Sequence, residues 1–399
     1  MIHHRYLIVG GGMAAAGAVR GIRERDADGS IGLIGEESDP PYKRPPLSKG
    51  LWKSGKIDRI WSKLNHQGLT LYLDRTAVSV DPRAKQVTDS VGAVYGYDRL
   101  LLATGGTPRR LPFGEDHIIY FRTLDDYRRL RLLADERQRF AVIGGGFIGS
   151  EIAAALRMNG KEVVLILPDD AIGANLFPLD LAEFVTAYYR QQGVDVRTGE
   201  LAMGLERRGD QSVVLTDGGQ EIVVDGVVAG IGLLPNIALA REAGLAVAQG
   251  IVVDEQLRTS DPDIFAAGDV AWYPDHTLGR PRRVEHEDNA NTMGRHAGRA
   301  MAGEQAPYRH LSFFYSDLFD LGYEAVGSLG RGYQTVADWK EPYREGVVYY
   351  LRAGLLEGVL LWNVWGQVAA ARELLVEVGP FQASDLIGRL PQTDEPAQP

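Results

Sequence analysis

The chain has 399 residues, a formal net charge of −10 and no cysteine. The length predicts two or three domains, and the acidic balance argues against nucleic-acid binding, which requires a basic surface. Without cysteine the chain cannot form disulfides, thiolate metal sites or iron–sulfur ligation, so we predict no metal site and expect any redox electrons to reside on a bound organic cofactor.

The N-terminus, "MIHHRYLIVGGG", enters an apolar strand within a few residues. It lacks the charged, apolar and small-residue regions of a signal peptide. No apolar run approaches the roughly 18 residues of a membrane-spanning helix. The sequence therefore predicts a cytoplasmic protein without a membrane partner.

Two segments repeat one pattern of apolar strand, three glycines and alanine-rich helix: "YLIVGGGMAAAGAVRGI" from Tyr6 and "FAVIGGGFIGSEIAAAL" from Phe140. This context is typical of dinucleotide-binding turns, in which backbone N–H groups and the positive helix end face a pyrophosphate. A glycine-rich turn without a ligand is the alternative, which the repetition disfavours. The candidate binding residues are Gly10, Gly12, Ala14 and Ala15 in the first copy, and Gly144, Gly146, Phe147, Ile148 and Gly149 in the second.

Each copy continues into a second strand that ends in an acid, Glu36 in "SIGLIGEES" and Asp169 in "EVVLILPDD". A carboxylate at this distance from the turn accepts hydrogen bonds from the adenosine ribose hydroxyls. At Asp169 it would also repel a 2′-phosphate. We therefore predict NADH rather than NADPH for the second site.

The segment "PYKRPPLSKGLW", Pro41 to Trp52, is dense in proline and has no helix or strand period. Proline fixes φ and removes backbone donors, so we predict a stiff loop. It carries Arg44 and Lys49, and taken alone this segment is more typical of a solvated basic turn than of a binding site. Two further marks are "ATGG" at Ala103 to Gly106, after a buried strand, and "AAGDV", whose Asp269 follows a short strand.

Together with "GIGLLPN", these marks resemble the two-dinucleotide flavoproteins of the pyridine nucleotide-disulfide oxidoreductase type. "PYKRPPLSKGLW", "GGGFIGSEIA", "GRPRRVEHEDNA", "YSDLFDLGYEAVG" and "GVVYYLRAGLLEGVLLWNVW" resemble the cysteine-free branch, which holds apoptosis-inducing factor and the dioxygenase-type ferredoxin reductases. The resemblance covers nearly the whole chain. The targeting segment, the membrane anchor and the long C-terminal insertion are missing, with a short connection expected at 336–346, so we expect a bacterial-type member.

The resemblance implies an α/β fold with two Rossmann-like dinucleotide-binding domains and an α+β C-terminal interface domain. The FAD-binding domain is expected at 1–112 and 238–307. The NAD(H)-binding domain is expected at 113–237 and the interface domain at 308–399. Trp362 and Trp365 are expected in the core of the interface domain.

The resemblance also implies residue roles. Arg44 is expected on the FAD pyrophosphate, and Lys49, paired with Glu151, near flavin N5 as the catalytic pair. A helix starting near Val284 is expected to point its N-terminus at the flavin. Phe147 would cover the flavin until nicotinamide displaces it, and Tyr315 stands where relatives commonly have tryptophan. Further FAD contacts are expected from Thr104, Gly105, Arg109, Asp269, Glu285, His286 and Glu287, and a further NAD contact from Gly232.

The predicted function is NADH oxidation by FAD, with hydride passing to flavin N5 and electrons passing to a carrier such as a ferredoxin or rubredoxin. The arginines at 109–110, 128–131 and 280–283 could form a basic docking patch, or could be ordinary solvated faces. The alternative is an NADH-binding sensor with a long-lived charge-transfer complex and redox-controlled dimerisation. A quinone reductase is a weaker alternative, since the tail "TDEPAQP" is polar. The chain could be a monomer or a homodimer.

Overall fold

The computed structural model of the chain describes residues 2–64 and 67–390. The polar tail from Thr393 to Pro399, on which the argument against a quinone reductase rests, lies outside the described residues. Within the described ranges, no helix is both long enough and apolar enough to cross a bilayer.

The elements follow in chain order. Up to residue 108 they are β1 Ile2–Val9, α1 Met13–Arg23, β2 Ile31–Ile34, α2 Gly50–Ser54, β3 Leu69–Tyr72, β4 Ala77–Asp81, β5 Gln86–Asp89, β6 Val94–Leu102 and β7 Gly106–Pro108. The middle of the chain holds β8 Ile118–Tyr120, α3 Leu124–Glu136, β9 Arg139–Ile143, α4 Phe147–Met158, β10 Glu162–Leu167, α5 Leu179–Gln191, β11 Val194–Thr198, β12 Ala202–Arg208, β13 Gln211–Thr216, β14 Glu221–Val224, β15 Gly226–Ala229 and β16 Leu233–Pro235.

The remainder holds α6 Ala238–Glu242, β17 Ile251–Val252, β18 Ile264–Ala266, β19 Ala271–Asp275, β20 Arg280–Arg282, α7 Glu287–Met301, β21 Phe313–Leu318, β22 Leu321–Gly327, β23 Gln334–Glu341, β24 Glu345–Arg352, β25 Leu355–Trp362, α8 Val368–Leu375 and α9 Ala383–Leu386. Short 3₁₀ turns occur at Pro45–Leu47, Ile57–Arg59 and Glu115–His117.

The chain divides into two compact units. The first comprises 1–44, 57–107 and 234–312, and the second comprises 45–56, 108–233 and 313–399. The second unit thus combines most of the segments expected for NAD(H) binding with the C-terminal segment, and it includes part of the proline-rich loop. The finer boundaries proposed from the sequence stay predictions.

In the first unit, the sheet order is β3-β2-β1-β6-β5-β4, with β18 also paired to β6. β1 runs parallel to β2 and β6, and β18 runs parallel to β6. Apolar strands such as Ile31–Ile34 are buried throughout, as expected for a parallel sheet covered on both faces. The core also includes the buried faces of α1 and α7. This arrangement places the first glycine turn at the carboxyl end of β1.

The second unit repeats this plan. Its parallel sheet has the order β11-β10-β9-β15-β8, and the second glycine turn follows β9. The antiparallel strands β12-β13-β14 form a smaller sheet. The C-terminal segment forms an antiparallel sheet of order β21-β22-β25-β24-β23. The predicted α/β class is therefore confirmed.

Two local predictions were wrong. The segment 336–346 is not a connection but part of a β-hairpin, because β23 pairs antiparallel with β24 from Gln334 to Glu341, with a register shift between Trp339 and Glu341. The proline-rich loop also contains the 3₁₀ turn and α2. There the indole of Trp52 donates to the Leu47 carbonyl at 2.8 Å and packs edge-on against Tyr127 with ring centroids 5.7 Å apart. Burial of this tryptophan stabilises a helix too short to be stable alone.

Candidate active site

The first glycine turn has the geometry of a pyrophosphate cradle. Gly10 has φ +120°, and a Cβ there would lie 2.1 Å from the Ala103 carbonyl oxygen. A Cβ at Gly12 would instead meet nothing within 4 Å, so this position faces open space. Gly12 is the N-cap of α1 and makes no side-chain cap, and the first turn holds no acid. The helix end is thus free of a built-in anion, and the cradle fits the pyrophosphate of a dinucleotide.

The second turn repeats the arrangement. Gly144 has φ +105°, and a Cβ on Gly149 would lie 1.8 Å from the Gly144 carbonyl oxygen, so the helix packs directly on the turn. A Cβ on Gly146, the N-cap of α4, meets nothing within 4 Å. The tight turn, the open position and the close packing occur where the sequence predicted them. A second dinucleotide pyrophosphate therefore fits this turn.

Arg44 lies within the first unit beside acidic and phenolic groups. Its guanidinium donates to Glu37 at 2.6 Å and to the Tyr42 hydroxyl at 3.1 Å. Burial lowers its pKa, but the nearby Tyr42, Glu37 and Asp269 outweigh burial and raise it. The structure thus brings Arg44 near Asp269, two residues expected at the FAD. The acid engaged here is Glu37, whereas the predicted Glu36 is exposed.

The turn formed by Gly268 and Asp269 of "AAGDV" packs against the first glycine turn. A Cβ on Gly268 would lie 2.9 Å from the Ala14 side chain, and the Gly268 N–H faces the sulfur of Met293 at 3.3 Å. Arg283 donates to the Asp269 carbonyl oxygen at 3.0 Å. Ala15 is fully buried in the core. The first unit therefore brings the predicted residues Ala14, Ala15 and Asp269 into one region.

The "ATGG" segment, Ala103 to Gly106, is hydrogen-bonded to Asn236 at the end of "GIGLLPN". The Thr104 hydroxyl donates to the Asn236 carbonyl oxygen at 2.9 Å, and the Asn236 amide side chain donates to the Thr104 carbonyl oxygen at 2.9 Å. The Asn236 N–H also donates to Gly105 at 3.0 Å. In the second unit, Arg109 N–H donates to the Gly232 carbonyl oxygen at 2.9 Å. The sequence reasoning missed Asn236 as the residue that fixes Thr104.

The helix predicted near Val284 is α7, with His286 as its N-cap. Glu287 lies in the first turn, and Glu285 is exposed and accepts from Arg283 at 2.5 Å. Burial lowers the pKa of His286 to about 4, although Asp269 raises it in part. The imidazole is therefore neutral near neutral pH, and it lies within electrostatic reach of Asp269.

Asp169 follows β10 and is half-buried at the end of the strand, as predicted for the second ribose acid. The side-chain amide of Asn175 donates to its carboxylate at 3.1 Å, and the Gly199 N–H donates to its carbonyl oxygen at 3.1 Å. The first contact orients the carboxylate, and the second holds the backbone of Asp169. Asn175 carries no recognisable motif, so the sequence offered no signal for it.

A cluster of buried polar groups in the second unit surrounds Glu151. Its carboxylate is 3% exposed. The Lys49 ammonium lies 2.6 Å from Oε1, the Ser316 hydroxyl donates to Oε1 at 2.6 Å, and the Ser48 hydroxyl donates to Oε2 at 2.5 Å. The sequence predicted the Lys49–Glu151 pair. It missed both serines, although Ser48 directly precedes Lys49.

Two buried tyrosines lie within electrostatic range of Glu151. Burial raises the pKa of Tyr323 well above its usual range, and the charge of Glu151 adds to that effect. Burial and the charge of Glu151 also raise the pKa of Tyr189. The Tyr189 hydroxyl donates to the Ser150 carbonyl oxygen at 3.0 Å. The two phenols stay neutral and add no second negative charge beside Glu151, whose paired cation is Lys49.

Aromatic residues flank the pair. Lys49 Nζ lies 5.2 Å from the ring centroid of Tyr315, within the range of a cation–π contact. Phe147 is 38% exposed and packs edge-on against Phe314 with centroids 5.5 Å apart. Trp362 is fully buried and Trp365 is half-buried. Ile148 is half-buried at the start of α4.

Arginines of the clusters at 128–131 and 280–283 form ion pairs within the chain. Arg128 pairs with Asp125 at 2.7 Å, and Arg131 pairs with Asp135 at 3.2 Å. Arg282 lies 3.4 Å from Asp275. Such pairs reduce the positive field of these two clusters, which favours the interpretation of a solvated face for them. In the part of the chain that the structure describes, no group of three His, Asp or Glu side chains is arranged to hold a metal ion.

The comparisons with known proteins agree with this geometry. The chain is similar to apoptosis-inducing factor 1 of Dictyostelium discoideum, with 33% identity over 94% of this chain and 78% of that protein. It is also similar to the ferredoxin reductase subunit of the 5,5′-dehydrodivanillate O-demethylase of Sphingobium, with 36% identity over 94% of both. The crystal structure of the covalent putidaredoxin reductase–putidaredoxin complex matches with a TM-score of 0.85 and 31% identity, over 94% of this chain and 92% of that one.

Family models account for most of the sequence. Residues 297–342 and 334–377 match the C-terminal domain of mitochondrion-associated apoptosis-inducing factor. Residues 4–294 match the pyridine nucleotide-disulphide oxidoreductase model. The chain thus belongs to the pyridine nucleotide-disulphide oxidoreductase family and is an FAD-dependent oxidoreductase that uses NADH.

Proposed function

We propose that this chain oxidises NADH through bound FAD and passes the electrons to a small ferredoxin-type carrier. The observation that carries the proposal is the buried Lys49–Glu151 pair. When bound, FAD supplies the hydride acceptor and the means to release electrons singly. The protein's own residues position the two dinucleotides and provide fixed charge.

The two glycine turns would bind the two pyrophosphates, the first that of FAD and the second that of NADH. Asp169, held by Asn175, would accept the ribose hydroxyls of NADH. Arg44 would contribute its guanidinium to the FAD site, where its fork geometry matches phosphate oxygens.

Lys49 would supply a fixed positive charge that favours the reduced, more negative flavin. Glu151 offsets the cost of burying that ammonium and fixes its direction, since the two groups are only 2.6 Å apart. Because the chain has no cysteine, electrons cannot pass through a thiol and would leave directly from the flavin.

The carrier class is supported by the relatives. The Sphingobium protein is described as a ferredoxin reductase subunit, and putidaredoxin reductase was crystallised joined to putidaredoxin. The test is NADH-dependent reduction of a purified [2Fe–2S] ferredoxin. The loss of absorption by its cluster is the measured signal. Rapid, saturable reduction supports the proposal. Flavin reduction by NADH without transfer to any of several ferredoxins would overturn the carrier assignment.

The match of the C-terminal segment and the Dictyostelium relative favour a second candidate, an NADH-binding sensor. It predicts a long-wavelength band after NADH addition that survives air, slow turnover and a change of dimerisation on reduction. Size-exclusion chromatography with and without NADH distinguishes the two candidates. A cytoplasmic location is part of the proposal and rests on the sequence alone.

A further inference from the structure

We infer that Ser48 and Ser316 are positioning residues that hold the Glu151 carboxylate, and through it the Lys49 ammonium, in the orientation needed for flavin reduction. The inference rests on the proposed role of Lys49 and Glu151 and deepens it. Both serines lie in segments that the sequence analysis quoted, Ser48 in "PYKRPPLSKGLW" and Ser316 in "YSDLFDLGYEAVG", but neither was assigned a role there.

The first argument concerns satisfaction of a buried carboxylate. Both oxygens of Glu151 must accept hydrogen bonds, because an unsatisfied buried charge is costly. Lys49 alone reaches only Oε1. The Ser48 hydroxyl serves Oε2, and the Ser316 hydroxyl provides a second donor to Oε1. With all three donors in place, the carboxylate cannot rotate without breaking a hydrogen bond.

The second argument concerns the position of Ser316. Along β21, residues alternate between half-buried and buried, so Ser316 points inward with Phe314 and Leu318. An inward position between these two residues would ordinarily be apolar, yet Ser316 is fully buried. Its hydroxyl therefore needs a polar partner, and Glu151 accepts the hydrogen bond that it donates. Since β21 lies in the segment matched to the C-terminal domain of apoptosis-inducing factor, that domain reaches the charged pair directly.

The third argument concerns Ser48. It is buried, and it lies between the 3₁₀ turn at Pro45–Leu47 and α2. The Trp52 indole bonds to Leu47, and the Tyr127 hydroxyl bonds to the Leu51 carbonyl oxygen at 3.3 Å. This packing fixes the backbone on both sides of Ser48 and Lys49. Two separate segments, one before α2 and one on β21, therefore orient a single carboxylate on α4.

The experiment is anaerobic stopped-flow reduction of the FAD-loaded protein by NADH, which separates the limiting rate from the NADH dissociation constant. Ser316→Ala and Ser48→Ala are each expected to lower the limiting rate roughly tenfold, the effect of one weakened hydrogen bond to a charged group, with little change in NADH affinity. Ser316→Thr retains the hydroxyl and should recover most of the rate. Ser212→Ala removes a buried serine on β13 and serves as the matched control.

The decisive comparison is made in the Lys49→Met background. If the serines act through Lys49, Ser316→Ala and Ser48→Ala should have little further effect there. A tenfold loss that persists in that background would overturn the inference, as would a wild-type rate in the two alanine variants. Ser48→Ala lies on a different segment and keeps the test valid if Ser316→Ala does not fold. Failure of the proposed function is separate, because the wild-type flavin would then not be reduced by NADH.

Discussion

Replacement of Lys49 by methionine should destabilise the protein strongly. Lys49 is 10% exposed and Glu151 is 3% exposed, so the substitution leaves a carboxylate buried without its cation. Breaking a buried pair in this way costs about 3–5 kcal/mol. Because the hydroxyls of Ser48 and Ser316 still donate to the carboxylate, we expect the lower end, about 3 kcal/mol.

The assay measures the free energy of unfolding in urea, with tryptophan fluorescence as the signal. Lys340→Met is the matched control, because Lys340 pairs with Glu345 at 3.1 Å while 40% exposed. That change should cost less than about 1 kcal/mol. The double variant Lys49→Met/Glu151→Gln should recover part of the stability that Lys49→Met loses. If Lys49→Met lowers the free energy of unfolding by no more than the control does, Lys49 and Glu151 do not behave as a buried ion pair. That result would refute the reasoning.

Three further predictions concern the two dinucleotide sites and pH. Gly149→Ala would place a Cβ 1.8 Å from the Gly144 carbonyl oxygen, so NADH affinity measured by titration should fall at least tenfold; unchanged affinity would contradict the assigned packing. Asp169→Asn should narrow the preference for NADH over NADPH in kcat/KM, because it removes the charge that repels a 2′-phosphate; an equal loss for both cofactors would remove that role. His286 has a folded-state pKa of about 4, below its usual 6.5, so its contribution to stability is complete above pH 6.5 and is lost as pH falls toward 4. His286→Gln should flatten the fall in melting temperature between those pH values, and an unchanged slope would argue against a half-buried imidazole with a lowered pKa.

The sequence predicted the repeated strand–glycine–helix units well, because the glycine spacing follows directly from backbone geometry. Gly10 and Gly144 both require positive φ, and Gly149 requires close packing. These are local backbone requirements, so the glycines that meet them can be predicted from the sequence without the tertiary structure.

The parts of the site that the sequence did not reveal depend on contacts between distant residues. Ser316 is 165 positions from Glu151, so the hydrogen bond between them depends on tertiary structure that the sequence does not show. The helix α2 was missed for a related reason. Proline density predicts a stiff loop, but burial of Trp52 against Tyr127 stabilises a short helix there.

The central claim is that NADH delivers its electrons to FAD bound by this chain. The most direct test is anaerobic mixing of the purified, FAD-loaded protein with NADH while the flavin absorption is followed. The account predicts rapid, complete bleaching in the wild type and slower bleaching in Lys49→Met at saturating NADH. A protein that binds FAD but is not bleached by NADH, or a Lys49→Met variant that is bleached as fast as the wild type, would contradict it.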